Sequence, residues 1–442
     1  MASTKKILIK NGTLVTMDAN SRILVGDLLV ENGVIKALAK EISPRGDEQI
    51  VDAKGKFVIP GLIQVHTHLC QVLFRGYADD LNLLDWLKTR IWPLEKAHNA
   101  KSLRASADLG LLEMQLLGTT AILDMGTVSH TADMFESVKQ SQMRYWGGKC
   151  LMDRKSSSGP LYEETKVSLK EMDQLIEKYH QSTDRLHYAI CPRFAISCTE
   201  KILKESADRQ KSLGLLVHTH ASESKEEIAV VKKRTGKDNV AYFDHLGLLN
   251  SKTVIVHGVH LTKKEVRRMV ATKTPLVHCP SSNLKLASGI APIHSYDKAG
   301  LKIGLGSDGA PCNNSMDPFM EMRLAALLQK PFFGPEALPA QKALELATIG
   351  GAKVLNMEEK LGSLEENKLA DIVIVDRSHP SVYTVENPYS ALVYSCSGRD
   401  VNDVMIGGQW VVRNKKSEIF DENEILKTAE KERKELFLRA KI

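Results

Sequence analysis

From Gly61 to about Ala352 the chain repeats one pattern, a short apolar run of strand character followed by an amphipathic stretch with apolar residues at three- and four-residue spacing. Such alternation reads as parallel βα units. A parallel strand needs a crossover of a dozen or more residues, and a helix makes it while burying its own apolar stripe. The strand runs are Leu62 to His66, Thr120 to Asp124, Arg144 to Leu151, Leu186 to Cys191, Leu215 to His220, Thr253 to His257, Thr274 to His278 and Lys302 to Ser307. Eight such units predict a (β/α)₈ TIM-like barrel. The Leu, Met and Ala stripes of Ala105 to Leu117, Ser168 to His180 and Pro318 to Gln329 read as helix faces turned to the barrel.

Both ends of the chain read differently. Before the barrel come short alternating runs, Ile7 to Ile9, Leu14 to Met17, Asp27 to Glu31 and Val34 to Leu38, separated by the turn pairs Asn11-Gly12 and Asn32-Gly33. After it come Ala370 to Val375 and Gln409 to Val412, with Gly407-Gly408 marking a hairpin. The expected division is a composite β-sandwich from residues 1–58 and 366–442, flanking a barrel over residues 59–365. The tail Glu422 to Lys441, rich in Glu and Lys, reads as a solvated helix.

Composition narrows the function. Apolar residues at 43% and charged ones at 26% of 442 describe an ordinary globular chain rather than a disordered or fibrous one. A net charge of +6 is small for this size, and Lys232-Lys233-Arg234 reads as the coat of an exposed helix end, so no nucleic-acid partner is expected. Seven cysteines without a CxxC pair read as reduced thiols and predict no disulfide. The start, Met1 to Lys10, turns polar before a signal-length apolar stretch forms, and no run of about 18 apolar residues occurs. The expectation is a cytoplasmic protein with no membrane partner.

Chemistry-bearing residues fall at the C-terminal ends of the predicted strands, the face on which barrel enzymes carry their active sites. His66 and His68 form an HxH at the end of the first, and alternation along a strand projects both to one side. His220 closes the fifth strand, His257 the sixth, and Asp308 follows the eighth. Three imidazoles and one carboxylate make a shell for one divalent metal with a position left for water. Zinc is the ion expected, with Fe²⁺ and Mn²⁺ also compatible. Glu223, three residues beyond His220, stands where it can move a proton to or from that water, whereas Glu226 and Glu227 read as exposed. His257 reads either as a fourth ligand or as a hydrogen-bonding group beside the water.

His218, His260 and His278 read as packed or supporting histidines, and Asp124 as a hydrogen-bond anchor. The fourth strand ends without a lysine, which argues against a carbamate-bridged metal pair. Gly236-Lys237-Asp238 lacks the features of a phosphate loop, and Gly126 to His130 makes no nucleophile elbow. A barrel scaffold that has lost its chemistry is the non-enzyme alternative, and it would show gaps in the ligand set.

Five segments together resemble the amidohydrolase superfamily, in its branch of aminohydrolases acting on aminopurine and triazine rings: Pro60 to His68, His218 to Glu223, His257 to Leu261, His278 to Leu286 and Gly306 to Asn314. The resemblance implies a mononuclear site of His66, His68, His220 and Asp308, with Glu223 and His257 handling the water. Phe74-Arg75-Gly76, Leu83 to Leu87 and Trp92 to Glu95 resemble deaminases of S-adenosylhomocysteine, 5′-methylthioadenosine and 5′-deoxyadenosine. In that group the residue matching Glu95 contacts ribose hydroxyls and the one matching Trp86 lines the pocket. Gln71 and Arg193 resemble guanine deaminases, where the matching pair holds the base. The leading expectation is hydrolytic deamination of a 5′-substituted adenosine, with guanine deamination as the alternative and triazine hydrolysis behind it. A homo-oligomer is expected from the resemblance alone.

Overall fold

The computed structural model describes residues 6–441; Met1 to Lys5 and Ile442, assigned from sequence to the terminal β unit and in part to the polar start, lie outside the described residues. The eight strand runs form eight neighbours in chain order: Leu62–Thr67, Thr119–Asp124, Arg144–Gly147, Leu186–Pro192, Leu216–Ala221, Thr253–His257, Leu276–His278 and Ile303–Leu305. Every adjacent pair is parallel. The first and fifth strands are buried along their whole length, as parallel strands covered by helices outside and side chains inside must be. The third run is not continuous to Leu151. It breaks after Gly147, and Cys150–Leu151 pairs separately with the fourth strand. Here the backbones run close: a Cβ on Gly148 would stand 2.2 Å from the Ala189 carbonyl oxygen.

The barrel closes between its first and last strands. The Asp308 amide donates to the His66 carbonyl at 3.1 Å, and Thr67 and Asp308 form an isolated parallel bridge. Gly306 permits this approach, since a Cβ there would lie 2.7 Å from the His66 carbonyl oxygen. Closure therefore places the ends of the first and eighth strands side by side.

The two termini build one nine-stranded mixed sheet, in which Lys56–Pro60 pairs parallel to Lys6–Val15 on one side and antiparallel to Ile372–Asp376 on the other. This sheet curls over a separate apolar core shared by Ile7, Leu28, Ile35, Val58, Ile374 and Trp410. Trp410 Nε1 reaches Gln49 Oε1 at 3.3 Å across the fold. Asn32-Gly33 and Gly407-Gly408 are hairpin turns with positive φ, as the sequence predicts. Asn11-Gly12 is not a turn. It is a bulge within the ten-residue strand Lys6–Val15, with Asn11 at φ 63° and its amide held by Asp27 Oδ1 at 2.9 Å.

The terminal helix Glu422–Ala440 also departs from expectation. Ala429, Glu432 and Leu436 are buried, and Arg439 donates to the Ala97 carbonyl at 2.9 Å and to Ser102 Oγ at 3.0 Å. One face therefore docks on the barrel while the other carries the charges. Among the described residues, no helix is long and apolar enough to cross a membrane.

Candidate active site

Each ligand candidate sits where a strand ends, so the barrel converges them at one mouth. His66 and His68 come from the first strand and the residue after it, His220 from the fifth, His257 from the sixth and Asp308 from just past the eighth. Three non-glycine residues at this mouth hold left-handed backbone, Ser222 at φ 55°, His257 at 71° and Asp308 at 61°. That conformation is costly for side-chain-bearing residues and concentrates at functional sites.

The donor atoms face one another. His66 Nε2 lies 3.2 Å and His68 Nε2 3.4 Å from Asp308 Oδ1, and His68 Nε2 lies 3.3 Å from His220 Nε2. Tetrahedral coordination at a metal–nitrogen distance near 2.1 Å puts neighbouring donors about 3.4 Å apart. Two overlapping sets, His66–His68–His220 and His66–His257–Asp308, bring their donors within 4.8 Å of one another.

Neighbours fix which nitrogen faces inward. His220 Nδ1 donates to the Arg193 carbonyl at 2.7 Å, leaving Nε2 its lone pair. His66 Nδ1 bonds His218 Nε2 at 2.9 Å, and His66 Nε2 is buried with no hydrogen-bond partner. A buried nitrogen of this kind, facing a carboxylate and two imidazoles, is an atom that a bound cation would satisfy. Burial pushes the imidazoles of His66, His68 and His220 below their ordinary range, which keeps them the neutral donors a metal needs. Asp308 is held by Ser282 Oγ at 2.6 Å and the Gly309 amide at 2.8 Å.

Glu223 and His257 stand beside this cluster. His257 Nδ1 donates to Asn283 Oδ1 at 2.9 Å, turning Nε2 toward Glu223 Oε2 at 3.4 Å and Asp308 Oδ2 at 3.9 Å. Burial raises the Glu223 carboxyl, a shift that would suit a group able both to take and to give a proton. Ser288 Oγ bonds its other oxygen at 3.2 Å.

A narrow cleft opens over the cluster, walled by Gln71, Trp86, Arg193, Phe194, Glu223 and Leu286. Glu95 is one layer behind. Its carboxylate accepts from Arg193 Nη1 at 2.8 Å, Arg193 Nη2 at 3.2 Å and Gln71 Nε2 at 2.7 Å. Gln71 Oε1 and Trp86 Nε1 are buried without partners, a free acceptor and a free donor among the residues that wall the cleft. A third close set, His68, Cys70 and Glu95, offers a metal little, because both Glu95 oxygens are taken and burial pushes the Cys70 thiol well up.

All ten residues singled out from sequence lie in or directly behind this cleft. His218 and Asp124 support the site, the latter accepting from Thr67 Oγ1 at 2.9 Å and the Leu69 amide at 2.8 Å. Ser282, Asn283 and Ser288 were missed as supports, although the first two sit inside the segment His278 to Leu286. Glu227 is a correction. It is not exposed but 1% accessible, and its Oε2 accepts the Glu223 amide at 2.8 Å. The signal was Ser224-x-x-Glu227, the pattern of a helix start whose third residue turns back toward the cap.

Comparison with known proteins agrees with this geometry. Residues 57–411 match the amidohydrolase family. The chain is 37% identical over 424 residues to a 5-methylthioadenosine/S-adenosylhomocysteine deaminase of Bacillus cereus, covering 94% of this chain and 96% of that one. The corresponding protein of Bacillus cytotoxicus is 36% identical over 423 residues, with the same coverage of both chains. Among solved structures, an adenosine deaminase from Xanthomonas campestris with bound zinc superposes with a TM-score of 0.91 at 28% identity, covering 98% of this chain and 99% of that one. A guanine deaminase of E. coli reaches 0.82 at 25% identity, covering 93% and 99%. With its barrel, its strand-end histidines and these likenesses in register, the chain belongs to the amidohydrolase family.

Proposed function

We propose that this protein is a zinc-dependent hydrolytic deaminase that releases ammonia from the adenine ring of 5′-substituted adenosines, with 5′-methylthioadenosine and S-adenosylhomocysteine as leading substrates. The observation that carries the substrate class is the 37% identity, over 94% of the chain, to relatives that bear that name. His66, His68, His220 and Asp308 would hold the ion, whose chemistry when bound is to make a water molecule acidic near neutral pH.

The chain's own residues do the rest. Glu223 accepts one proton of the water and passes it to the ring nitrogen beside the carbon under attack. Water oxygen forms the new carbon–oxygen bond there while His257 Nε2, aimed by Asn283, stands beside that oxygen and guides its approach. The second water proton leaves through Asp308 to the exocyclic nitrogen, the carbon–nitrogen bond breaks, and ammonia departs. Trp86 closes over the ring, and Gln71 and Arg193 present their polar atoms to its edge. A sugar contact by Glu95 requires its carboxylate to exchange one bond from Gln71 or Arg193 for a hydroxyl.

Those same two side chains favour guanine as the second reading, since both wall the cleft. Ammonia release from 5′-methylthioadenosine, S-adenosylhomocysteine, 5′-deoxyadenosine and guanine, measured side by side on metal-replete protein, decides between them. Preference for an adenosine supports the proposal, and preference for guanine replaces it. Glu223→Gln should keep its metal and lose at least about 100-fold in turnover; unchanged turnover removes Glu223 from the mechanism.

A further inference from the structure

Glu227 lies outside the chemistry just described, yet it is a carboxyl buried to 1% exposure, and no ion pair involves it among the described residues. Burying such a group is costly unless its bonds do something. It sits in the first turn of the helix Lys225–Thr235, whose cap is Ser224, and Ser224 Oγ receives the Glu227 amide at 3.1 Å. In an ordinary capping box the carboxyl would return to the cap's own amide. Here it reaches one residue further, to the Glu223 amide at 2.8 Å, while its second oxygen takes the Asn239 side-chain amide.

The loop it holds is the one that carries Glu223 over the metal-ligand cluster. Ser222 has left-handed backbone at φ 55°, and the carbonyls of Ala221 and Ser222 are tied to Gly258 and His260 amides at 3.1 and 3.0 Å. The Glu223 amide is a further polar handle of this turn, and Glu227 occupies it. Burial pushes the Glu227 carboxyl up to about 7.

We propose that Glu227 is a positioning residue for the reaction: its carboxyl clamps the backbone of Glu223 and thereby sets where the Glu223 carboxylate stands above the metal ligands. This rests on the reading that Glu223 is the proton carrier. A plain capping role would affect stability alone, whereas a clamp affects the rate of the chemical step, because small displacements of a catalytic group cost up to about 100-fold.

The test compares Glu227→Ala, Glu227→Gln and Glu223→Gln in the full-length, metal-replete protein, with 5′-methylthioadenosine as substrate and metal content measured on each. Glu227→Ala should lower kcat about 10- to 100-fold with KM within about twofold and metal unchanged. Glu227→Gln should restore most of kcat. Its carbonyl can still accept the Glu223 amide, and its NH₂ can donate to Asn239 Oδ1, an atom without a partner, once the Asn239 amide turns over. Full kcat in Glu227→Ala, or a loss that only tracks lost metal, overturns the proposal, as does failure of Glu227→Gln to restore kcat in folded protein. If Glu227→Ala does not fold, Asn239→Ala removes the second anchor of the clamp, and full kcat there overturns the proposal. The two readings fail separately: full turnover in Glu223→Gln refutes the proton carrier, while an inactive Glu223→Gln beside a fully active Glu227→Ala refutes only the clamp.

Discussion

Single atoms decide what this site can hold. Burial favours the neutral form of the candidate ligands His66, His68 and His220, and the direction of His220 and His66 is set by bonds on the opposite ring nitrogen, to the Arg193 carbonyl and to His218. Asp308 is aimed in the same way by Ser282 Oγ at 2.6 Å. Ser282→Ala should therefore lower metal affinity or activity about 10- to 100-fold with little change in overall stability, read by metal titration and turnover. Away from the site, His98 is buried between the Cys70 carbonyl at 2.7 Å and Ser102 Oγ at 3.0 Å, and burial lowers its imidazole to about 4. A free histidine titrates near 6.5, so between about 6.5 and 4 the unfolded chain binds the proton that the folded one refuses. The stability this contributes is complete above pH 6.5, falls as the pH drops to 4, and is constant below. His98→Gln should thus lose less stability than the parent between pH 7 and 4.5, by on the order of 2 kcal/mol in urea denaturation; equal losses would show that His98 titrates normally.

Elements, rather than residues, bring the candidate ligands together. Strands were the most legible part of the sequence, because a buried parallel strand is an unbroken apolar run and its C-terminal end is where a histidine or aspartate interrupts it, as at His66, His220 and His257. Local backbone choices were less legible. Asn11-Gly12 carries the same dipeptide as the true turn at Asn32-Gly33, and only the Asp27 carboxylate waiting for the Asn11 amide makes it a bulge. Glu226 and Glu227 are likewise indistinguishable by composition. Helix phase separates them, turning the second inward to Glu223 while the first faces water. The closure of first strand on eighth is the element contact on which the site depends. Gly306→Ala would set a Cβ 2.7 Å from the His66 carbonyl oxygen and 2.8 Å from the His66 Cβ. The expected result is about 1–3 kcal/mol of overpacking and a loss of bound metal out of proportion to it, since both displaced strands lead to candidate ligands. A variant that keeps its metal would place the closure elsewhere.

At the scale of the whole molecule, the question is what joins the barrel to the sheet made by the two termini. Sequence could not show this, because the groups that meet there are 227 residues apart. Arg144 opens the third barrel strand and Asp371 precedes the strand Ile372–Asp376 of the terminal sheet. Their side chains, 2% and 4% exposed, form a two-pronged pair, Nε to Oδ2 at 2.8 Å and Nη2 to Oδ1 at 3.0 Å, and Oδ1 also takes the Gly407 amide at 2.7 Å. A buried pair of this kind adds little net stability against an apolar substitute, but removing one partner strands the other charge. Asp371→Ala should therefore cost about 3–5 kcal/mol in urea denaturation, and Arg144→Met combined with Asp371→Leu should recover much of that loss. Neither residue touches the cleft, so folded Asp371→Ala should keep its KM. If Asp371→Ala costs less than about 1 kcal/mol, water reaches the pair and the joint is held by its other contacts, such as Arg185 Nη2 to the Ile406 carbonyl. If the double variant is no better than the single, the pair fixes the register between barrel and sheet, which apolar side chains of similar size cannot do.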